Sequence, residues 1–234
     1  MLKAAITQVW YDNAPEIHGS YGPFMYGLNH CYPALFDKPD LLPLAVLPVK
    51  NVSPEDILKN FDMLVLTGGG DPSPSLFGRT DNGSRNPRPF RSSWDIKLYH
   101  AARELDIPIF GICLGIQVIG IAEGVALIQD IETLIESADF HDGSAIEPVM
   151  HNVNVFPGTR LRNILEEHIS VSTFHHQVLE EVPPGFLISA QSSDGLIEAI
   201  ESEDGRVIGV QWHPERDATG VPILEYMMRI ARRT

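Results

Sequence analysis

The chain has 234 residues, which suits a single α/β domain with a full hydrophobic core across residues 1–234. Lysine and arginine number 17 against 31 aspartates and glutamates, so the formal net charge is −14. This acidic balance argues against nucleic acids and anionic membranes as partners, since both require a basic protein face. Two cysteines are too few for a disulfide scaffold or a cysteine-rich zinc site.

The N-terminal sequence MLKAAITQVW lacks a long apolar stretch and a clear cleavage site. We therefore expect no signal peptide and a cytoplasmic location. Residues 108–128 are apolar enough to suggest a membrane span, but Gln117, Glu123 and several glycines interrupt them. A buried strand, a turn and a buried helix account for this window better.

Strand-like runs alternate with helix-length stretches in the first half of the chain. The predicted strands are 3–10, 42–49, 61–70 and 107–113, and the predicted helices are 53–58, 92–106 and 114–124. Ser53 is an N-cap candidate with Pro54 at the first helical position, and Gly124 closes the third helix. Such alternation predicts a parallel sheet with helices on both faces.

The second half is mostly strand-like. The predicted strands are 153–157, 169–173, 186–195, 196–205 and 207–214, and a helix is predicted over 221–233. Asp194-Gly195 and Asp204-Gly205 are turn signals, because glycine accepts a positive φ. We expect a three-layer αβα fold whose mostly parallel central sheet carries extra antiparallel strands. Residues 72–91 are rich in proline, serine, glycine and arginine and predict a long surface loop that covers a site.

Cys113 lies between two glycines in the stretch Gly111-Ile112-Cys113-Leu114-Gly115. A strand, a G-x-C-x-G turn and a helix form the layout of a nucleophile elbow, which exposes the side chain at the end of the strand. The helix N-terminus behind the thiol favours the thiolate. The alternative is a small buried hydrophobe, which is the commoner fate of a free cysteine.

Two other segments could complete a cysteine site. The segment GVQWHPE places His213 after a strand and Glu215 two residues later, so the carboxylate could orient the imidazole as a general base. The segment LTGGGDPSP follows a buried strand and offers backbone N–H groups for an oxyanion. Each segment has a simpler interpretation, an exposed strand end or a flexible connection. All three lie at carboxyl ends of predicted strands, however, where open parallel sheets bind ligands.

Together FGICLGIQ, LTGGGDP and GVQWHPE resemble the class I glutamine amidotransferase-like superfamily, a group with a flavodoxin-like fold and a Cys-His-Glu triad. STFHHQ, LIQDI and GGGDPSPSLFG resemble its γ-glutamyl-γ-aminobutyrate hydrolase family, also called peptidase family C26. The resemblance runs from about residue 4 to residue 216. One departure is Leu114, since members of this branch often carry arginine immediately after the nucleophile.

The resemblance implies roles for individual residues. Cys113 would be the nucleophile, His213 the general base and then acid, and Glu215 the group that orients His213. The N–H groups of Leu114 and of the glycine loop, at Gly69 or Gly70, would form the oxyanion hole. Gln117 would face the α-amino and α-carboxylate ends of a glutamyl group. Thr173, Phe174 and His175 would line the same substrate-binding pocket through their backbone.

The favoured hypothesis is a cysteine hydrolase of small γ-glutamyl amides that needs no cofactor. An alternative is a glutaminase subunit that delivers ammonia to a separate synthetase chain, and a third is a non-catalytic binding scaffold. We expect neither nucleic acid nor a membrane as partner, and a homodimer is compatible with the sequence. We also predict no metal site, because His141 and His151 lack an established ligand spacing.

Overall fold

The computed structural model describes residues 1–11, 25–85, 87, 89–135, 141–142 and 149–232. The α-helices of this part are α1 Cys31–Phe36, α2 Pro54–Leu58, α3 Pro89–Glu104, α4 Leu114–Ala122, α5 Ile131–Leu134 and α6 Gly220–Ala231. The strands are β1 Leu2–Ile6, β2 Val9–Tyr11, β3 Met25–Gly27, β4 Leu41–Ala45, β5 Met63–Leu66, β6 Ile109–Ile112, β7 Leu127–Ile128, β8 Val149–Val155, β9 His168–Thr173, β10 Val178–Leu179, β11 Phe186–Ser192, β12 Ile197–Ser202 and β13 Val207–Val210.

A nine-stranded mixed sheet forms the centre of the fold, in the order β4-β1-β5-β6-β13-β12-β11-β8-β9. The first five strands pair in parallel, and from β13 to β9 each neighbouring pair is antiparallel. Two two-stranded sheets, β7 with β10 and β2 with β3, lie apart from it. The predicted division into a parallel first half and an antiparallel second half is confirmed.

Side chains of the central strands alternate between two buried clusters on opposite faces of the sheet. On β5, Met63 and Val65 belong to the cluster that includes α1 and α6, while Leu64 and Leu66 belong to the cluster that includes α2, α3 and α4. Burial on both faces explains why these strands read as continuous apolar runs. The architecture is the predicted three-layer α/β fold.

The local signals locate several element ends correctly. Ser53 caps α2 by accepting a hydrogen bond from the Asp56 N–H at 3.0 Å. Gly195 turns the β11–β12 hairpin with a φ of 84°. The strand predicted over 3–10 is wrong in extent, since β1 ends at Ile6 and β2 pairs with β3 instead. Helix α1 was not expected from its sequence CYPALF, although its proline lies in the first turn, where a missing N–H is tolerated.

The predicted surface loop over 72–91 holds regular structure at both ends. A 3-10 turn spans Pro74–Phe77, and α3 begins at Pro89 instead of residue 92. Residues 86 and 88 of this loop lie outside the described part of the chain. No helix among the described residues combines the length and the apolar character that a membrane crossing needs.

Candidate functional site

Cys113 occupies a strained turn between β6 and α4. Its backbone has φ 52° and ψ −102°, in the positive-φ region that a non-glycine residue enters at a cost of about 1–3 kcal/mol. The flanking glycines allow the chain to close this tightly, because a Cβ on Gly115 would lie 2.3 Å from the carbonyl oxygen of Leu66. A Cβ on Gly111 would lie 2.8 Å from the carbonyl carbon of Gly115. The strand, turn and helix have the predicted form of a nucleophile elbow.

His213 follows β13 and is oriented by Glu215. Its Nδ1 lies 2.8 Å from Oε1 of Glu215, whose side chain is buried. Its Nε2 is also buried and has no hydrogen-bond partner within the described part of the chain. A Cβ on Gly68 would lie 3.1 Å from Cε1 of His213 and 3.6 Å from Cβ of Cys113. The imidazole and the thiol therefore meet at the same glycine.

The surroundings of His213 favour its protonated form. Burial alone would lower its pKa, but the charges of Cys113 and Glu215, together with the hydrogen bond between Nδ1 and Glu215, raise the pKa to about 10. An imidazole with such a pKa holds its proton at neutral pH. The two groups that raise this pKa are the carboxylate at Nδ1 and the cysteine that shares Gly68 with the ring.

The glycine loop is held firmly at its base. Arg91, which is buried, donates from Nη2 to the Thr67 carbonyl oxygen at 3.1 Å and from Nε to Asp95 at 2.7 Å. The Gly68 N–H donates to the hydroxyl of Tyr32 at 2.9 Å. Burial raises the pKa of Asp95 to about 6 even though Arg91 opposes the shift. The sequence pattern gave no reason to single out Tyr32, Arg91 or Asp95 as supports of this loop.

A cavity of about 420 Å³ opens beside the thiol. Eight predicted site residues line it: Cys113, His213, Glu215, Gly69, Gly70, Gln117, Phe174 and His175. The carbonyl oxygen of Phe174 lies 3.9 Å from Sγ of Cys113, and the amide nitrogen of Gln117 donates to the Gln177 carbonyl at 3.1 Å. The structure thus brings the three separate sequence segments to one wall, at the carboxyl ends of β5, β6 and β13.

The side chains of two predicted site residues, Thr173 and Leu114, do not line the cavity. Thr173 is not on the cavity wall, because its side chain is fully buried at the end of β9 and its hydroxyl donates to the His141 carbonyl at 2.8 Å. The side chain of Leu114 is also buried, in the core cluster of α3 and α4, and does not border the cavity. The leucine side chain therefore contributes to core packing. The N–H of Leu114 is the first of its helix and has no partner inside it.

Polar residues that sequence reasoning missed complete the cavity rim. Arg216 lines it, with Nε 4.0 Å from Oε1 of Glu215, and Arg85 lines it from the predicted surface loop, in contact with Asp142. His176 lines it as well and binds Asp71, with Nε2 2.9 Å from Oδ2. The composition of loop 72–91 pointed to a lid over a site, but nothing in it distinguished Arg85 from its neighbours.

A second group of titratable side chains lies behind the cavity wall. His141, His151, His175 and Glu198 bring one possible ligand atom each to within 4.8 Å of one another. The expectation that no metal site exists rested on spacing along the chain. In the fold these residues come together from distant positions, since the segment before β8, strand β8, the segment after β9 and strand β12 each contribute one residue.

A family model for peptidase C26 matches residues 26–215. This chain belongs to the peptidase C26 family. A γ-glutamyl-γ-aminobutyrate hydrolase of Escherichia coli K12 is 32% identical over 172 residues, covering 69% of this chain and 66% of the relative. A Mycobacterium tuberculosis protein described as a candidate glutamine amidotransferase is 32% identical over 191 residues, covering 80% of this chain. This C26 chain spans 62% of that relative's length.

A solved structure has the same fold at low sequence identity. A Thermoplasma acidophilum protein, described as one candidate chain of a GMP synthase, matches with a TM-score of 0.66 and 18% identity, covering 100% of this chain and 95% of the other. The similarity supports the amidotransferase-type fold of this C26 family member. Its relatives carry names from the hydrolase and the amidotransferase classes, so the family indicates an enzyme of hydrolase or amidotransferase type and does not identify the substrate.

Proposed function

We propose that the protein is a cysteine hydrolase of γ-glutamyl amides and that Cys113 is its nucleophile. The observation that carries the proposal is the strained elbow of Cys113, which shares Gly68 with a buried His213 hydrogen-bonded to Glu215. Backbone strain is retained where the surrounding structure holds it, and it concentrates at functional sites. The relative named as a γ-glutamyl-γ-aminobutyrate hydrolase supports the substrate class.

The reaction begins with attack of the Cys113 sulfur on the side-chain carbonyl carbon of the γ-glutamyl group. A C–S bond forms, and the carbonyl electron pair moves to oxygen. The N–H of Leu114 and that of Gly69 or Gly70 donate to this oxyanion, and one such donor contributes about 2.7–4 kcal/mol to related reactions. His213 then gives its proton to the amine nitrogen as the C–N bond breaks, which leaves a thioester and a free amine.

The second half of the reaction restores the enzyme. Neutral His213 takes a proton from water, and the resulting hydroxide adds to the thioester carbonyl. The C–S bond breaks, its electron pair returns to sulfur, and glutamate leaves with one oxygen from water. His213 is again protonated beside a thiolate, and Glu215 keeps the imidazole aligned through both steps.

The cavity suits a small anionic substrate. Its volume of about 420 Å³ lies in the range of small-molecule sites. Gln117 borders the thiol, and the guanidinium groups of Arg85 and Arg216 lie at the rim, where they could neutralise carboxylates on the glutamyl group or on the leaving amine. A strongly acidic chain can bind such an anion because the local donors, not the net charge, face it.

A glutaminase chain that serves a synthetase is the second candidate. The mycobacterial relative described as a candidate glutamine amidotransferase and the fold shared with a candidate GMP synthase chain favour it. The same thioester chemistry would release ammonia from glutamine for a separate synthetase chain. The free thiols of Cys31 and Cys113 fit the reducing cytoplasm, where either function would operate.

The test is hydrolysis by the purified chain alone, with a panel of γ-glutamyl amides beside glutamine, followed by mass spectrometry of quenched enzyme. We expect amine release and a glutamyl adduct on the peptide that contains Cys113. Cys113→Ser is the matched control and should form no thioester. Glutaminase activity that requires an added protein would favour the synthetase-linked function. If neither activity nor any adduct is found, the remaining hypothesis is a non-catalytic protein that keeps the fold for binding.

A further inference from the structure

Three imidazoles and one carboxylate meet in the antiparallel half of the fold, at His141, His151, His175 and Glu198. We call these four residues the histidine cluster. The side chains of His141 and His175 are 1% exposed, that of His151 is 8% exposed, and that of Glu198 is fully buried. Oε1 of Glu198 lies 3.5 Å from Nδ1 of His141 and 3.5 Å from Nε2 of His175, and its Oε2 lies 3.7 Å from Nε2 of His151.

These distances are longer than hydrogen bonds. In the described part of the chain, the buried atoms that face one another have no hydrogen-bond partner: Nδ1 of His141, Nε2 of His175, both nitrogens of His151 and both carboxylate oxygens of Glu198. Buried polar atoms are nearly always paired, so this many together require an explanation. Protonating the imidazoles would place like charges on rings whose centres are 4.7–6.2 Å apart.

Outer contacts orient two of the rings toward the centre. Nδ1 of His175 lies 3.2 Å from the carbonyl oxygen of Gln177, and since a carbonyl only accepts, this nitrogen carries the hydrogen. Nε2 of His141 lies 2.9 Å from Oδ2 of Asp194. In a neutral ring, each contact leaves the other nitrogen with a lone pair that points into the cluster. A histidine fixed in this way by a carboxylate or a carbonyl is the usual arrangement of a metal ligand.

We propose that the histidine cluster binds one Zn²⁺ ion. Imidazole nitrogen favours zinc and its transition-metal neighbours over magnesium or calcium, and four protein ligands in a buried position are typical of a closed, structural zinc site. Zinc bonds of about 2.0–2.2 Å in a tetrahedron place the ligand atoms roughly 3.3 Å apart. The ligand atoms here lie within 4.8 Å of one another, so small side-chain movements complete the shell.

The ion would fix one wall of the cavity without contacting substrate. His175 lines the cavity and follows Phe174, whose carbonyl oxygen lies 3.9 Å from the Cys113 sulfur. The N–H of His175 donates to the carbonyl oxygen of His141 at 3.1 Å, and Asp142 beside it contacts Arg85 at the rim. Zinc would therefore join the segment that borders the thiol to the segment that carries Asp142. This role is independent of which amide the enzyme cleaves.

Zinc binding is measured on metal-free protein that carries Cys31→Ala and Cys113→Ser, so that neither free thiol competes for the ion. We expect one equivalent of Zn²⁺ by competition with a chromogenic chelator, a rise in Tm on adding Zn²⁺, and a Co²⁺ spectrum of tetrahedral nitrogen and oxygen ligation. The added substitutions His151→Ala and Glu198→Gln should remove this binding. Asp194→Asn should weaken it about 10–100-fold, as loss of an outer contact does elsewhere.

His168→Ala is the matched control, because His168 is an exposed histidine on the adjacent strand β9. It should bind zinc like the parent protein. The proposal is overturned if the parent binds no stoichiometric zinc, if His151→Ala binds it as tightly as His168→Ala, or if Co²⁺ shows six-coordinate ligation. Should Glu198→Gln fail to fold, the Co²⁺ spectrum and the Tm shift of the parent still decide.

Discussion

The thiol site and the histidine cluster use similar residues in opposite surroundings. At the thiol site, Cys113 and His213 face an open cavity of about 420 Å³, and the cysteine backbone is strained. In the histidine cluster, four side chains face one another, and none of these four residues has a positive φ. We therefore expect imidazole and carboxylate groups to carry a reaction where they border a cavity, and to bind a metal ion where they face one another.

The contrast extends to electrostatics. His213 has one carboxylate behind it, at Glu215, and a thiol in front, so a proton is retained on the ring and can move toward a bound substrate. Glu198 instead stands among three imidazoles, and its pKa is held at about 2 although burial alone would raise it. The first arrangement can exchange a proton with a third molecule, whereas the second is closed to such exchange.

The largest expected effect belongs to the thiol. Cys113→Ala should lower kcat on the order of 10⁶-fold, because removing the nucleophile of a cooperating triad abolishes the covalent step. Its Tm should stay close to that of the parent, since alanine keeps the same backbone geometry. Cys31→Ala, at the chain's other free thiol, should retain full activity. If Cys31→Ala lost as much activity as Cys113→Ala, the loss could not be assigned to a nucleophile at Cys113.

Replacing Glu215 tests how His213 is held. Glu215→Gln should lower kcat on the order of 10³–10⁴-fold, because the imidazole loses the carboxylate that aligns it and stabilises its charge. Steady-state kinetics should show the loss in kcat and not in KM. A loss confined to KM would mean that Glu215 binds substrate and does not orient the histidine.

The same variant changes how stability depends on pH. Burial lowers the pKa of His213, but Cys113 and Glu215 raise it to about 10, above its usual value of 6.5. The charged ring therefore stabilises the folded state fully below about pH 6.5, and this stabilisation disappears as the pH rises through 10. In Glu215→Gln it should disappear at lower pH. Urea denaturation across this range, with NMR titration of the imidazole, measures the displacement.

Substitutions in the histidine cluster should change the free energy of unfolding and not the rate of the reaction. Glu198→Gln should lower the free energy of unfolding by about 3–5 kcal/mol, because it removes one partner from a fully buried charged group. His168→Ala should change it by less than about 0.5 kcal/mol, as exposed substitutions do. Denaturant unfolding of both variants checks this. If Glu198→Gln kept the stability of the parent and lost catalytic activity, the histidine cluster would take part in the reaction, and our expectation would be wrong.

The same comparison explains how much the sequence could predict. The elbow is readable because its information is local: Gly111, Cys113 and Gly115 lie within five positions, and His213 precedes Glu215 by two. The first group signals a tight turn, and the second signals a contact that orients the imidazole. Because both follow parallel strands, they meet at the same edge of the sheet. The fold class and the wall of the cavity follow from these signals and from the alternation of strands with helices.

The histidine cluster could not be read in this way. His141, His151, His175 and Glu198 are separated by ten or more positions, and antiparallel pairing sets their approach. On β8 and β9, His151 pairs with Val171, and the sequence does not fix that register. Leu114 shows a further limit: the sequence places it directly after the nucleophile, but only the structure shows that its side chain is buried in the core cluster of α3 and α4.

The smallest expected effect separates the backbone of the elbow from the helix that follows it. A Cβ on Gly115 would lie 2.3 Å from the carbonyl oxygen of Leu66, whereas one on Gly120 would lie 2.2 Å from the side-chain terminus of Leu179. Both glycines belong to α4.

The backbone of β5 cannot move away from a new methyl group as easily as a leucine methyl can. Gly115→Ala should therefore lower the free energy of unfolding by about 1–3 kcal/mol and Gly120→Ala by less. Denaturant unfolding of the pair, with kcat measured on each, makes the comparison. Since Gly115 also sets the position of Cys113, only its variant should lose activity in the folded state. Parental activity in folded Gly115→Ala would show that the elbow tolerates displacement.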